Sequence, residues 1–107
     1  MFVIIFYVPQ VNAETVKQAL FNAGAGSIGD YDSCAWQCLG TGQFKPLQGS
    51  QPHIGTLDEI TLVDEFRVEI VCRTENLRAA INALKSAHPY EEPAYHILQT
   101  VNLDAFH

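Results

Sequence analysis

The 107-residue chain carries six basic and twelve acidic residues, a formal charge of −6, in a 48% apolar composition. That is the size and make-up of one small globular domain, residues 1–107. The acidic surplus argues against nucleic-acid binding and against adsorption to anionic membranes, since both need a Lys/Arg surface.

Met1 to Val8 is apolar and rich in β-branched and aromatic residues. It is too short to span a bilayer and has neither a basic flank nor a cleavage site. It reads as a central strand covered on both faces, ended by Pro9. Asn12 is placed to cap a helix that carries Ala13, Val16, Ala19, Leu20 and Ala23 inward, with Val11 stapled onto Val16. Gly24 stops it. The glycine-rich run Gly24 to Asp30 follows a helix end rather than opening one. It therefore reads as a turn needing positive φ, not as a phosphate cradle.

Tyr31 to Leu39 is a predicted strand. Period two sets Cys34, Trp36 and Cys38 on one face, as core thiols beside a tryptophan. Cys34 and Cys38 lie about 13 Å apart on an extended chain, too far for a disulfide. With Cys72 they make an odd count and no dense framework, which suits reduced thiols and a cytoplasmic protein. Gly40-Thr41-Gly42 reads as a hairpin turn, with Gln43 to Leu47 returning and Pro46 marking a sheet edge. A polar loop with Pro52 and His53 follows. Ile60 to Cys72 is the next extended segment, with a bulge or loop end at Asp64.

Thr74 is placed to cap a second helix with Leu77, Ala80, Ile81, Leu84 and Ala87 as its stripe. His88 ends it, because a residue before proline leaves helical angles. Tyr95 to Val101 is the last strand, and Asn102 to His107 a loose tail. The order predicts an α+β, ferredoxin-like βαββαβ sandwich with a β-hairpin extension. Its sheet is antiparallel, with both helices on one face. The other face also carries apolar side chains, which predicts an oligomer.

Three segments carry a resemblance: Gly24 to Tyr31, Gly40 to Ser50, and His88-Pro89-Tyr90-Glu91-Glu92-Pro93-Ala94-Tyr95. Together they resemble the PII-like insert domain of the NGG-one-interacting-factor-three family and, more loosely, CutA and the PII signalling proteins. The family usually has an aspartate after the last tyrosine, where this chain has His96. The resemblance implies a PII/CutA-like homotrimer with clefts between subunits. It also implies a stand-alone version of the insert, without the flanking domains that hold the family's paired metal site, so no hydrolase-like activity carries over.

The segment from His88 to His96 is the densest in reactive groups. His88, Glu91, Glu92 and His96 are the candidate ligands of a divalent metal ion, the one cofactor the sequence suggests. Glu91 and Glu92 are adjacent on an extended segment and point opposite ways, so one site would seldom use both. Gly40, Thr41, Gly42, His53 and Tyr90 are the candidate ligand-binding residues. The competing reading makes the prolines and Tyr90 the guides into the last strand, with the glutamates solvated or capping loop amides. A regulatory protein partner, docked through Gln43 to Gly55, is a further alternative. An enzyme would have to use His88 with Glu91 or Glu92 as an acid–base pair. No nucleophile elbow, CxxC or HExxH is present, so a non-enzymatic module is expected.

Overall fold

A computed structural model describes residues 1–105. Four strands and two helices follow the expected order: β1 (Phe2–Pro9), α1 (Ala13–Asn22), β2 (Trp36–Phe44), β3 (Thr61–Cys72), α2 (Leu77–Ala87) and β4 (Tyr95–Gln99). The sheet order is β2-β3-β1-β4 and every pairing is antiparallel. This is the ferredoxin-like arrangement that the alternation of helical and strand periods predicted.

The register fixes which side chains share a face. Ile4 pairs with Ile70 and Ile97, and Phe6 with Val68 and Tyr95. These turn towards the helices. There Ile4, Phe6, Val8, Val68, Ile70 and Cys72 close against Val16 and Leu20 of α1 and Ala80 and Leu84 of α2. Burial pushes the Cys72 thiol pKa up, with Glu75 adding to the effect, so it behaves as a core group rather than a nucleophile.

The opposite face carries Val3, Ile5, Tyr7, Trp36, Cys38, Glu65, Arg67, Glu69, His96 and Leu98, as the same pairings require. Among the described residues no helix layer covers it, so β1 is packed by helices on one face and not on both as its apolar run predicted. Ile5 is nonetheless buried beneath its neighbours, while Trp36 is 56% and Leu98 53% exposed. At the far end β2 and β3 run past β1 and β4 as a two-stranded arm, where Leu62 and the adjoining Ile60 are exposed; Leu39, level with Val8 of β1, is exposed just before it.

Several local expectations are corrected. Gly40-Thr41-Gly42 is not a turn: β2 runs straight through it, pairing Gly40 with Glu65 and Gly42 with Val63. The glycines matched turn chemistry, but the long partner β3 recruits them into a ladder. Hairpin reversal is left to the loop at 45–60, in which Asp58 N–H donates to the Pro46 carbonyl. Pro46 lies buried in that loop, just past the strand. Asp64 makes no bulge; it pairs with Thr41 in an unbroken register. Residues 31–35 are outside β2, with Tyr31 instead bridging to Ile28. Cys34 is half-buried and Cys38 exposed, so neither is a core thiol. Asn12 and Thr74 give no side-chain cap. Each lies in a 3-10 turn that feeds its helix, so the backbone itself supplies the first bonds. Val11 is exposed and makes no staple. Gly24 does end α1, at φ +102°. Of the predicted tail, Leu103–Ala105 forms a 3-10 turn, and Phe106 and His107 lie outside the described residues.

Candidate functional site

Pro89 and Pro93 hold the connector between α2 and β4 in an irregular path. Pro89 also forces His88 out of the helix, to φ −70° and ψ 137°. That turn drops the His88 ring into the protein, where it is the buried polar side chain of the core region. Its Nε2 lies 2.6 Å from the Tyr7 carbonyl oxygen. A carbonyl only accepts, so Nε2 carries the proton. Nδ1 is then the acceptor, and it takes the Tyr90 amide N–H at 3.1 Å. Burial holds the His88 pKa below its ordinary value; the bond to Tyr7 and the charge of Glu65 oppose this in part.

His88 thus pins two things at once: the end of β1 and the start of the connector. Tyr90, set in place by that bond, leans on the His88 ring at 4.8 Å between centroids. Its hydroxyl donates to Glu65 Oε2 on β3 at 3.0 Å. Burial first, and then the Glu65 carboxylate, push the phenol pKa above the usual tyrosine range. One residue on, Glu91 Oε2 accepts the Gln51 amide N–H at 3.0 Å. This ties the connector to the 45–60 loop.

Between connector, loop and the uncovered face of the sheet lies a cavity of about 570 Å³. Tyr7, Gly42, Phe44 and Glu65 form its floor, all on the face turned from the helices. Tyr90, Glu91, His53 and Pro52 form its walls. A Cβ at Gly42 would displace the Glu65 carboxylate from its place over the glycine. A smaller hollow of about 370 Å³, over Cys38, Gly40, Thr41 and Arg67, shares Tyr7, Gly42 and Glu65 with it.

The nine residues singled out from the sequence are thus divided. Gly42, His53, Tyr90, Glu91 and Glu92 line the larger cavity, and Gly40 and Thr41 the smaller one. His88 stands behind Tyr90 with both ring nitrogens engaged and has no lone pair for a metal. His96 lies on the open sheet face, edge-on to Tyr7 at 6.3 Å. His88, Glu91, Glu92 and His96 therefore do not converge. Among the described residues of one chain, no three His, Cys, Asp or Glu side chains are grouped to hold a metal ion. His88, one of the candidate ligands, is a hydrogen-bonded strut. The Glu91 bond to a loop amide follows the structural reading of the segment.

Tyr7, Phe44 and Glu65 were not singled out from the sequence as site residues. They sit on three different strands, and only the register brings them to one place. The one sequence signal was Glu65, a carboxylate within an apolar strand, which the register sets opposite Gly40.

No family model matches the chain. Over 97 residues it is 45% identical to a Mycobacterium tuberculosis protein named GTP cyclohydrolase 1 type 2 homolog, covering 91% of this chain and 26% of that protein. The solved structure of a Bacillus cereus protein related to NIF3 superposes with a TM-score of 0.81 at 37% identity, over 94% of this chain and 26% of that one. The chain matches one segment of the NIF3-related proteins. It spans about a quarter of the length of the relatives it matches. CutA from Xylella fastidiosa shares the fold of this chain across nearly its own full length: TM-score 0.68, 22% identity, 97% of this chain and 88% of that one. The resemblance carried by the glycine runs and by the His88 to Tyr95 segment is borne out, as is the PII/CutA-like fold.

Proposed function

We propose that this NIF3-type, PII/CutA-like segment is a non-enzymatic module that works as a homotrimer and binds a small ligand. The observation that carries this is the cavity of about 570 Å³, which combines apolar rings with a few placed polar groups. That is the size and make-up of a ligand site. The strut at His88 holds its walls before any ligand arrives, which lowers the cost of binding.

The trimer is supported by the uncovered sheet face and by the apolar arm. Trp36, Leu98, Ile60 and Leu62 are all more than half exposed, more apolar surface than an isolated small domain usually shows. A partner subunit packed there would also wall in the cavity, whose floor is the same face. The non-enzymatic part is supported by the state of the one acid–base pair considered. His88 spends both nitrogens on backbone groups, and Glu91 is bonded to a loop amide. The three unpaired cysteines suit a reducing, cytoplasmic setting. A divalent metal would need donors from a second copy, with His53 and Glu92 as this chain's free contributors.

The test is a thermal-shift panel of amines, nucleotides including GTP, neutral heterocycles and divalent metals, on protein sized by sedimentation. A species of three 11.9 kDa chains is expected, falling to monomer in Trp36→Glu. Stabilisation by at least one organic compound, lost in Phe44→Leu, is expected. A monomeric wild type would refute the trimer. GTP turnover by the purified chain would refute the non-enzymatic reading. Stabilisation by metals alone would move the site away from this cavity. A response to none of the panel, with a co-purifying protein instead, would favour the regulatory-partner reading.

A further inference from the structure

The cavity is lined by rings set at angles to one another. Phe44 lies 6.1 Å from Tyr90 between centroids, tilted by 54°; His53 lies 6.4 Å from Tyr90, tilted by 50°. Rings spaced and splayed in this way leave their faces available to an object between them, rather than filling the space by stacking. Three carboxylates, Glu65, Glu91 and Glu92, share the lining with a single lysine, Lys45.

Each ligand class meets these walls differently. A polyphosphate would face three carboxylates and one ammonium group, and would be repelled. A bare divalent ion needs several donors converging at about 2.0–2.6 Å. Here one Glu65 oxygen receives the Tyr90 hydroxyl, one Glu91 oxygen receives the Gln51 amide, and among the described residues no three His, Cys, Asp or Glu side chains are grouped to hold an ion. An organic cation with an apolar shell is different. Its diffuse charge is cheap to desolvate, it is attracted by ring faces within about 6 Å, and the carboxylates balance it from the rim.

We propose that the cavity formed by Phe44, His53, Tyr90 and Glu65 is a cage for a substituted ammonium ion, with Glu91 and Glu92 as the acidic rim. This rests on the reading of the cavity as a small-ligand site and names the ligand's chemical class. Tyr90 is the central ring because it touches both others and is fixed at its amide and its hydroxyl. Its hydrogen bond also keeps the Glu65 carboxylate inside the lining, over Gly42.

The experiment is calorimetric titration of the intact oligomer with choline, with tetramethylammonium, and with the uncharged isostere of choline in which carbon replaces nitrogen. Choline is expected to bind about tenfold more tightly than its isostere, the margin that ring-face attraction supplies to a partly desolvated cation. Phe44→Leu and Glu92→Gln should each narrow that margin, with unchanged circular dichroism. Glu92 is exposed and makes no hydrogen bond that folding depends on, so its variant guards against a merely misfolded control. Equal affinity for choline and the isostere overturns the cage. Binding of a neutral or anionic compound, sensitive to Phe44→Leu, with no binding of either cation, overturns the cage but keeps the pocket. No binding of any compound to folded oligomer overturns both.

Discussion

His88 offers the sharpest test of how the site is held. Its imidazole is neutral, buried and bonded at both nitrogens: Nε2 to the Tyr7 carbonyl at 2.6 Å and Nδ1 to the Tyr90 amide at 3.1 Å. Protonation would put a second N–H on Nδ1, opposite the Tyr90 N–H, and break that bond. Glu65 and His53 are the titratable groups that act on it through space. Because burial lowers the folded-state pKa, the unfolded chain binds the proton first as pH falls. Stability is therefore highest above the ordinary value of 6.5. It declines as pH falls from there through the folded-state value and levels off below it. Within that window the slope from one such group approaches about 1.4 kcal/mol per pH unit. His88→Asn should cost about 2–4 kcal/mol near neutral pH, from two bonds lost or weakened in a buried place. It should also remove this group's share of the slope. Urea denaturation at constant chain concentration, from pH 5 to pH 8, measures both, and fixed concentration matters because assembly adds to apparent stability. If wild type and His88→Asn keep parallel stability curves over that range, His88 is not the neutral strut described and the tautomer assignment fails.

Two further outcomes follow from packing. Leu84 is fully buried between α2 and the sheet, so Leu84→Ala should lower unfolding free energy by about 2–5 kcal/mol in the same denaturation assay. A cost under about 1 kcal/mol would mean that the helix layer is looser than it is drawn. Gly42→Ala places a methyl group where the Glu65 carboxylate lies. The carboxylate must swing away and release the Tyr90 hydroxyl, so an ultraviolet titration should show the Tyr90 phenol ionising at lower pH than in wild type. An unchanged tyrosine titration would show that Glu65 and Gly42 are not in contact.

Much of the fold was legible because it rests on local periodicity. The apolar run of β1, the alternation in β3 and the stripes in α1 and α2 each report surface that must be buried. His88 was legible as a helix end because the following proline acts on its immediate neighbour. Cap residues were less legible: Asn12 and Thr74 have the right side chains, but a preceding 3-10 turn supplies the bonds they would have made. Trp36, Cys34 and Cys38 were placed in the core on period alone. Period two tells which residues share a face, not which face is covered, and β2 is an edge strand.

The segment from His88 to His96 shows where local reasoning stops. Its histidines and glutamates suggested one ligand set, yet His88 turns inward, Glu91 reaches the loop, and His96 emerges on the open sheet face. Chain proximity in an irregular segment does not fix side-chain direction. Gly40-Thr41-Gly42 fails in the opposite sense: its local chemistry is that of a turn, and a long partner strand overrode it.

By itself, then, the amino-acid order determined the strand and helix succession, the antiparallel sandwich, and the acidic charge of the chain. Those follow from spacing and charge, which are properties of neighbours along the chain. Only the tertiary structure decided that Tyr7, Phe44, Glu65 and Tyr90 meet around one cavity, and that His88 stands behind it with both ring nitrogens bonded to the backbone. Those are relations between β1, β2, β3 and the connector, set by strand register and by one buried imidazole bonded across the fold.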